Sequence, residues 1–142
     1  MEETQERSLQ RDAARLEPLK TRIHFSELDQ DIQLAVLCAA EKKGIDLKVL
    51  DLRQIAAFTE YFILVTGTNQ RQVQAIADEI TEQLKKQHGT SPNRVEGYGA
   101  AEWVLLDYGD FVVHVFDKEA REFYDLERLW RDAQKVEMPA DL

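Results

Sequence analysis

At 142 residues, with 44% hydrophobic and 32% charged side chains, the chain has the size and make-up of one globular domain. Its net charge of -9 sets it against bare nucleic acid, because phosphate backbones repel an acidic surface that has no basic stripe. The only adjacent Lys/Arg pairs, Lys42-Lys43 and Lys85-Lys86, fall at the ends of expected helices, where the negative end of the helix dipole accounts for them.

The first residues, MEETQERS, are acidic and lack an apolar stretch, so they read as neither signal peptide nor mitochondrial presequence. No apolar run approaches membrane-spanning length, and a cytoplasmic protein without a membrane partner is expected. Residues 1–25, interrupted by Pro18 and poor in apolar periodicity, read as a mobile tail or a fraying helix. The ordered domain is expected over 26–132, with a loose tail over 133–142.

Ser26, with Asp29 three residues on, offers an N-cap for a first helix. Ile32, Ala35, Val36, Ala39 and Ala40 follow at helical spacing until Gly44 closes it. Cys38 on this helix reads as a small core residue. As a lone cysteine it excludes a disulfide within the chain or a cysteine-based zinc site. Residues 45–52 form a strand candidate, and 61–66 (YFILVT) a fully buried one. Asn69 with Gln72 predicts a second helix start, Val73, Ile76, Ala77, Ile80 and Leu84 its apolar stripe, and Gly89 its end. A short strand over 94–98 leads to two apolar runs, 103–106 and 111–116, separated by Asp107-Tyr108-Gly109-Asp110, the pattern of a β-hairpin. Asp117 caps a last helix. The order is α-β-β-α-β-β-β-α, a single α/β domain with a mixed sheet of about five strands and flanking helices.

The hairpin register decides which side chains share a face. A two-residue loop, Tyr108-Gly109, pairs Asp107 with Asp110 and Trp103 with His114. One face then holds Val104, Leu106, Phe111, Val113 and Val115, all apolar. The other holds Trp103, Leu105, Asp107, Asp110, Val112, His114 and Phe116. A three-residue loop with Gly109 in a bulge would mix the sets, so the first register is preferred, although it sets two aspartates opposite each other. The apolar face is expected to take the helices, leaving the mixed face for a partner.

Several blocks extend this reading: Glu60-Tyr61-Phe62; Gly67 with Arg71-Gln72-Val73 and Ile76-Ala77; Glu96-Gly97; Trp103-Val104-Leu105 with Asp107; Gly109-Asp110; Val113-His114-Val115; and Arg121, Tyr124, Leu126-Glu127 and Leu129-Trp130. In this order and spacing they resemble the Iojap or ribosomal silencing factor (RsfS) family over about residues 26–130. Glu60 stands where the family usually has Asp, and Asn69 near a usual Ser. The resemblance implies an α/β fold related to nucleotidyltransferases. It also implies binding to large-subunit ribosomal protein fourteen (uL-fourteen), which blocks joining of the small subunit and represses translation.

Nucleotidyltransferase ancestry invites a catalytic reading of Asp107 and Asp110. Metal-dependent phosphoryl transfer needs carboxylates converging on a cation and groups that cradle phosphates. Thr66-Gly67-Thr68 before a helix is more often a plain strand-to-helix connection, and no lysine follows it as in a phosphate loop. His24, His88 and His114 stand in unrelated segments without ligand spacing, so a hydrogen-bonded structural role is the expectation for His114 as a titratable group. Trp103 is ambiguous, since tryptophan serves cores and interface centres equally well. Trp130, with Phe123 and Leu126 at helical spacing, is expected to pack the last helix onto the domain. The expectation is a non-enzymatic ribosome-binding regulator with no cofactor and no metal. Its partner-binding residues are Trp103, Leu105, Asp107, Asp110, His114, Phe116 and Tyr124, with Glu102 adding to an acidic patch that suits a basic partner. The alternatives are a nucleotidyltransferase-like enzyme and a homodimer formed through the same face.

Overall fold

The computed structural model describes residues 22–142, so the expected mobile tail lies almost wholly outside the described residues. Helix α1 spans Gln30–Glu41. Its cap is Asp29, whose Oδ1 accepts from the Asp31 N–H at 2.8 Å, and not Ser26. Ser26 sits in a 3-10 turn, Phe25–Glu27, which carries Phe25 and Leu28 into the core and delays the helix by one turn. Strand β1 spans Ile45–Asp51 and β2 spans Tyr61–Gly67. Helix α2, Gln70–His88, is capped by Asn69, whose Oδ1 accepts from Gln72 N–H at 2.8 Å. The Gln72 amide oxygen reaches one residue further back, accepting from the Thr68 N–H at 2.6 Å. Gly89 ends α2 in the left-handed region with φ 67°, a conformation that costs glycine nothing.

Strands β3 (Arg94–Glu96), β4 (Trp103–Asp107) and β5 (Phe111–Asp117) follow. Two short helices come next, α3 (Lys118–Tyr124) and α4 (Leu126–Leu129), and then β6 (Gln134–Lys135). Asp117 caps α3 as expected, accepting from the Ala120 N–H at 2.7 Å. The six strands form one mixed sheet in the order β3-β4-β5-β2-β1-β6. Only β2 and β5, at its centre, run parallel, and the remaining neighbours are antiparallel.

The sixth strand lies where a loose tail was expected. Gln134 and Lys135 pair with Asp51 and Leu50, and the buried Val136 donates its N–H to the Val49 carbonyl at 2.9 Å. Glu137 then donates to Ile23 at 3.0 Å and accepts from Phe25 at 2.9 Å, tying both ends of the domain together. Without β6 the outer backbone groups of β1 would lack partners. One buried valine in a polar run leaves almost no periodic signal.

The hairpin turns one position later than the preferred register, with Gly109-Asp110 as its loop. Asp107 opposes Val112 and Trp103 opposes Phe116. Asp107 Oδ1 accepts from the Gly109 N–H at 2.9 Å, a side-chain-to-backbone turn with Gly109 at φ 90° that also keeps the two aspartates from facing each other. Because every partner moves by two residues, the predicted division of the faces survives. Val104, Leu106, Phe111, Val113 and Val115 pack beneath α1 and α2 with Ile63, Val65, Ile76 and Ile80. The opposite face carries a second cluster built on Leu50, Phe62, Leu64, Val112 and Phe116. Ala120 of α3 and Leu126 of α4 cover part of it. It is therefore only partly left for a partner, and β2, covered on both faces, is buried at all seven positions.

Candidate docking face

Rings link up across the second face without a gap. Phe58 lies 5.9 Å from Trp130, and Trp130 lies 5.7 Å from Phe62. Phe62 meets His114 edge-on at 4.4 Å, and His114 lies 5.9 Å from Trp103. Trp103 rests between Phe116 at 5.1 Å and Tyr124 at 4.6 Å, and Tyr124 meets Phe123 at 5.0 Å. Both ends of the strip open to solvent: Phe58 is 62% exposed, Tyr124 49% and Phe123 79%. Trp103, Leu105 and Trp130 are half-buried between them. Large amphipathic rings held on a sheet carry contact area at low entropic cost, the composition of an interface centre.

Local backbone geometry produces this exposure. Asp125 adopts the left-handed region at φ 46° and breaks the helix between Tyr124 and Leu126. The break turns Leu126 and Trp130 inward, and leaves Phe123 outside instead of packed with them as helical spacing suggested. At the start of β4, Gly97 (φ 79°) is required because a Cβ there would strike the Trp103 carbonyl, so the 97–101 turn lies tight against the strand that carries Trp103.

Beneath α3, Arg121 clamps the break. It is buried, and its Nη1 donates to Thr66 Oγ1 at 2.7 Å. Nη2 donates to the Asp46 carbonyl at 2.8 Å, and Nε to Glu127 Oε1 at 3.0 Å. Lys48 Nζ pairs with Glu127 Oε2 at 2.8 Å. The Arg121 hydrogen bond, with help from Lys48, holds the Glu127 carboxyl down at about 2. Arg121 and Glu127 stand six residues apart across a helix break, so no spacing rule would have paired them.

Of the seven expected contact residues, Trp103, Leu105 and Tyr124 lie together on the strip. His114 and Phe116 do not reach solvent: His114 is 3% exposed and Phe116 fully buried. Their strand is the parallel partner of β2 in the middle of the sheet, roofed by Trp103 and Phe62. Asp107 is half-buried at the hairpin end, holding Gly109 and facing Arg94 Nη2 at 3.5 Å. Asp110 is exposed in the turn itself. Asp107 is about 13 Å along the strand from Trp103, at roughly 3.3 Å per residue, and Asp110, in the turn beyond it, is further still. Acidity next to the strip comes from elsewhere. Glu102, Asp117, Glu119 and Glu122 line a cleft with Phe123 and Tyr124, and of these only Glu102 was expected.

His114 is the one polar side chain in the middle of the strip. Trp103 Nε1 donates to its Nδ1 at 3.0 Å. An accepting Nδ1 places the ring proton on Nε2, which is buried without a partner, an arrangement that costs about 1–3 kcal/mol. Burial pushes the imidazole pKa down to about 3. Between pH 6.5 and about 3 the unfolded chain therefore binds a proton that the folded one refuses. Stability is predicted to fall on acidification through that window, by up to about 1.4 kcal/mol per pH unit. Glu127 adds a second loss below its ordinary value of 4.5, because its depressed carboxyl stabilises only while ionised. Urea unfolding at pH 7 and pH 5 checks the first leg. Equal stability at both values for the wild type would contradict it.

The polar groups of the strand-to-helix turn bond within the domain. The Thr68 hydroxyl and N–H both turn to Gln72, at 2.7 and 2.6 Å, and Thr66 is held by Arg121, so the strand-to-helix turn has a structural use. Among the described residues no three His, Cys, Asp or Glu side chains come together as a metal site. No described helix is long and apolar enough to cross a membrane. Cys38 is buried, with its thiol pushed up to about 11 by that burial.

Comparison with known proteins agrees with the fold. The sequence model of the family described as "Ribosomal silencing factor during starvation" matches residues 26–142. The chain is 42% identical over 107 residues to the ribosomal silencing factor RsfS of Halalkalibacterium halodurans, covering 75% of this chain and 91% of that protein. It is 29% identical over 102 residues to mouse "Mitochondrial assembly of ribosomal large subunit protein 1", covering 70% of this chain and 45% of that protein. A crystal structure of a Chromobacterium violaceum protein superposes with a TM-score of 0.70 at 34% identity, over 80% of this chain and 91% of that one. The hairpin, its aromatic face and the residues bracing it thus stand on a shared scaffold, and the chain belongs to the RsfS (ribosomal silencing factor) family.

Proposed function

We propose that this chain is a cytoplasmic, non-enzymatic regulator that binds the large ribosomal subunit, blocks joining of the small one and so represses translation. The family match over residues 26–142 carries this reading, and the name of the mouse relative supports the large subunit as the side engaged. The partner on that subunit is ribosomal protein uL-fourteen, as the family resemblance implies. It docks on the strip centred on Trp103, Leu105 and Tyr124, the largest run of exposed and half-buried rings on the domain. The acidic cleft beside Tyr124 and the net charge of -9 favour a basic protein surface over ribosomal RNA, so direct sequence-specific nucleic-acid contact forms no part of the proposal.

Sedimentation of the purified protein with isolated subunits tests it. Recovery with the large subunit alone is expected, together with inhibition of subunit joining. Because added salt mainly slows association between complementary protein surfaces, affinity should fall only shallowly across a salt series, unlike the steep loss that counterion release from RNA produces. Equal recovery with both subunits, or with neither, would remove the proposal.

A further inference from the structure

We infer that His114 is a positioning residue for the docking face, orienting the Trp103 indole from below at the expense of the free protein's stability. The inference rests on the proposed docking role of the strip and adds a residue that cannot itself touch a partner. His114 lies in the ladder between Leu64 of β2 and Leu105 of β4, with Phe62 edge-on against it. Apolar neighbours on every side call for an apolar residue, and the imidazole pays for its place with a buried Nε2–H that no acceptor reaches. What the ring supplies is one acceptor, Nδ1, 3.0 Å from Trp103 Nε1.

That acceptor determines what Trp103 can show a partner. The indole has a single polar atom, its N–H, and the bond to His114 turns that atom into the sheet. All of the remaining indole surface is carbon. Phe116 below and Tyr124 alongside limit the ring's tilt, but neither contact distinguishes one edge of the indole from the other. Only the hydrogen bond does. Without it the ring can flip its N–H toward water, and docking must then reverse the flip and strip a hydration bond before contact is made.

The test compares His114→Leu with His114→Asn, whose side-chain oxygen can stand where Nδ1 stands. Three quantities are read on full-length protein: the melting temperature, the Trp103 indole N–H resonance (assigned by its loss in Trp103→Phe), and affinity for the isolated large subunit. For His114→Leu a melting temperature equal to or above wild type is expected, since the orphaned donor is gone. The indole proton should shift and exchange faster with solvent, and affinity should fall about tenfold. His114→Asn should recover the indole signal and most of the affinity, even at a lower melting temperature. A merely space-filling histidine predicts the reverse, with affinity following stability and the indole resonance unmoved in His114→Leu. That result overturns the inference. If wild-type protein failed to bind either subunit, the proposed function would fall, while the indole signal and melting temperature would still decide whether His114 orients Trp103.

Discussion

Replacing Trp103 with alanine is expected to weaken binding to the large subunit by about 2 kcal/mol or more, roughly thirtyfold, while the protein stays folded. The indole is half-buried, so it fits neither extreme that its sequence position allowed. Removing it uncovers Phe116 and His114, takes away one wall of the Tyr124 contact and leaves His114 Nδ1 without its donor. We expect a stability loss of about 1–2 kcal/mol, well short of the 3–5 kcal/mol typical of a fully enclosed aromatic. Melting and binding measured on one preparation separate the two effects. A melting temperature so low that unfolding alone accounts for the lost binding would make Trp103 a core residue and shift the docking centre toward Phe58 and Trp130.

The largest expected effect on stability belongs to Arg121. In Arg121→Met the Thr66 hydroxyl and the Asp46 carbonyl lose their donor, and Glu127 keeps only Lys48. Breaking a buried ion pair from one side typically costs about 3–5 kcal/mol. Here the lower end applies, about 3 kcal/mol, because Glu127 retains a cation and a path to solvent. For a domain of this size that is a fall of about 10–15 °C in melting temperature. The damage should be greatest at α3 and α4, seen as faster amide exchange there than in β2 or β5. A variant melting within about 3 °C of wild type would show that the clamp contributes little.

What could be read from the chain alone follows from where its signals lie. The division of β4 and β5 into an apolar and a mixed face depends only on a period of two, so it survived a turn displaced by one residue. The turn itself depended on a single local bond, Asp107 to Gly109, which competes on equal terms with its neighbours in sequence. Trp103 and Leu105 could be placed on the mixed face because they alternate with Val104 and Leu106, and Tyr124 because it stands one position around the helix from Phe123. His114 and Phe116 share that face, but their burial depends on β5 pairing with β2, and no local pattern specifies a strand some fifty residues away. Phe123 was misplaced for a related reason. Helical spacing assumes an unbroken helix, and Asp125 in the left-handed region was not anticipated at a position without glycine.

The two edges of the sheet bear on how this protein can meet any other polypeptide. On one side β3 is three residues long, with Arg94 and Glu96 exposed along it. On the other, β6 is two residues long and is followed at once by the hydrogen bonds that join residues 23–25 to Glu137. Strand addition needs a run of free backbone donors and acceptors, and charged, very short edges withhold one. Neither edge offers a template for β-augmentation or for edge-to-edge aggregation among copies at high concentration. Association is left to side chains, and among the described residues the aromatic strip brings Phe58, Phe123 and Tyr124 within reach of solvent.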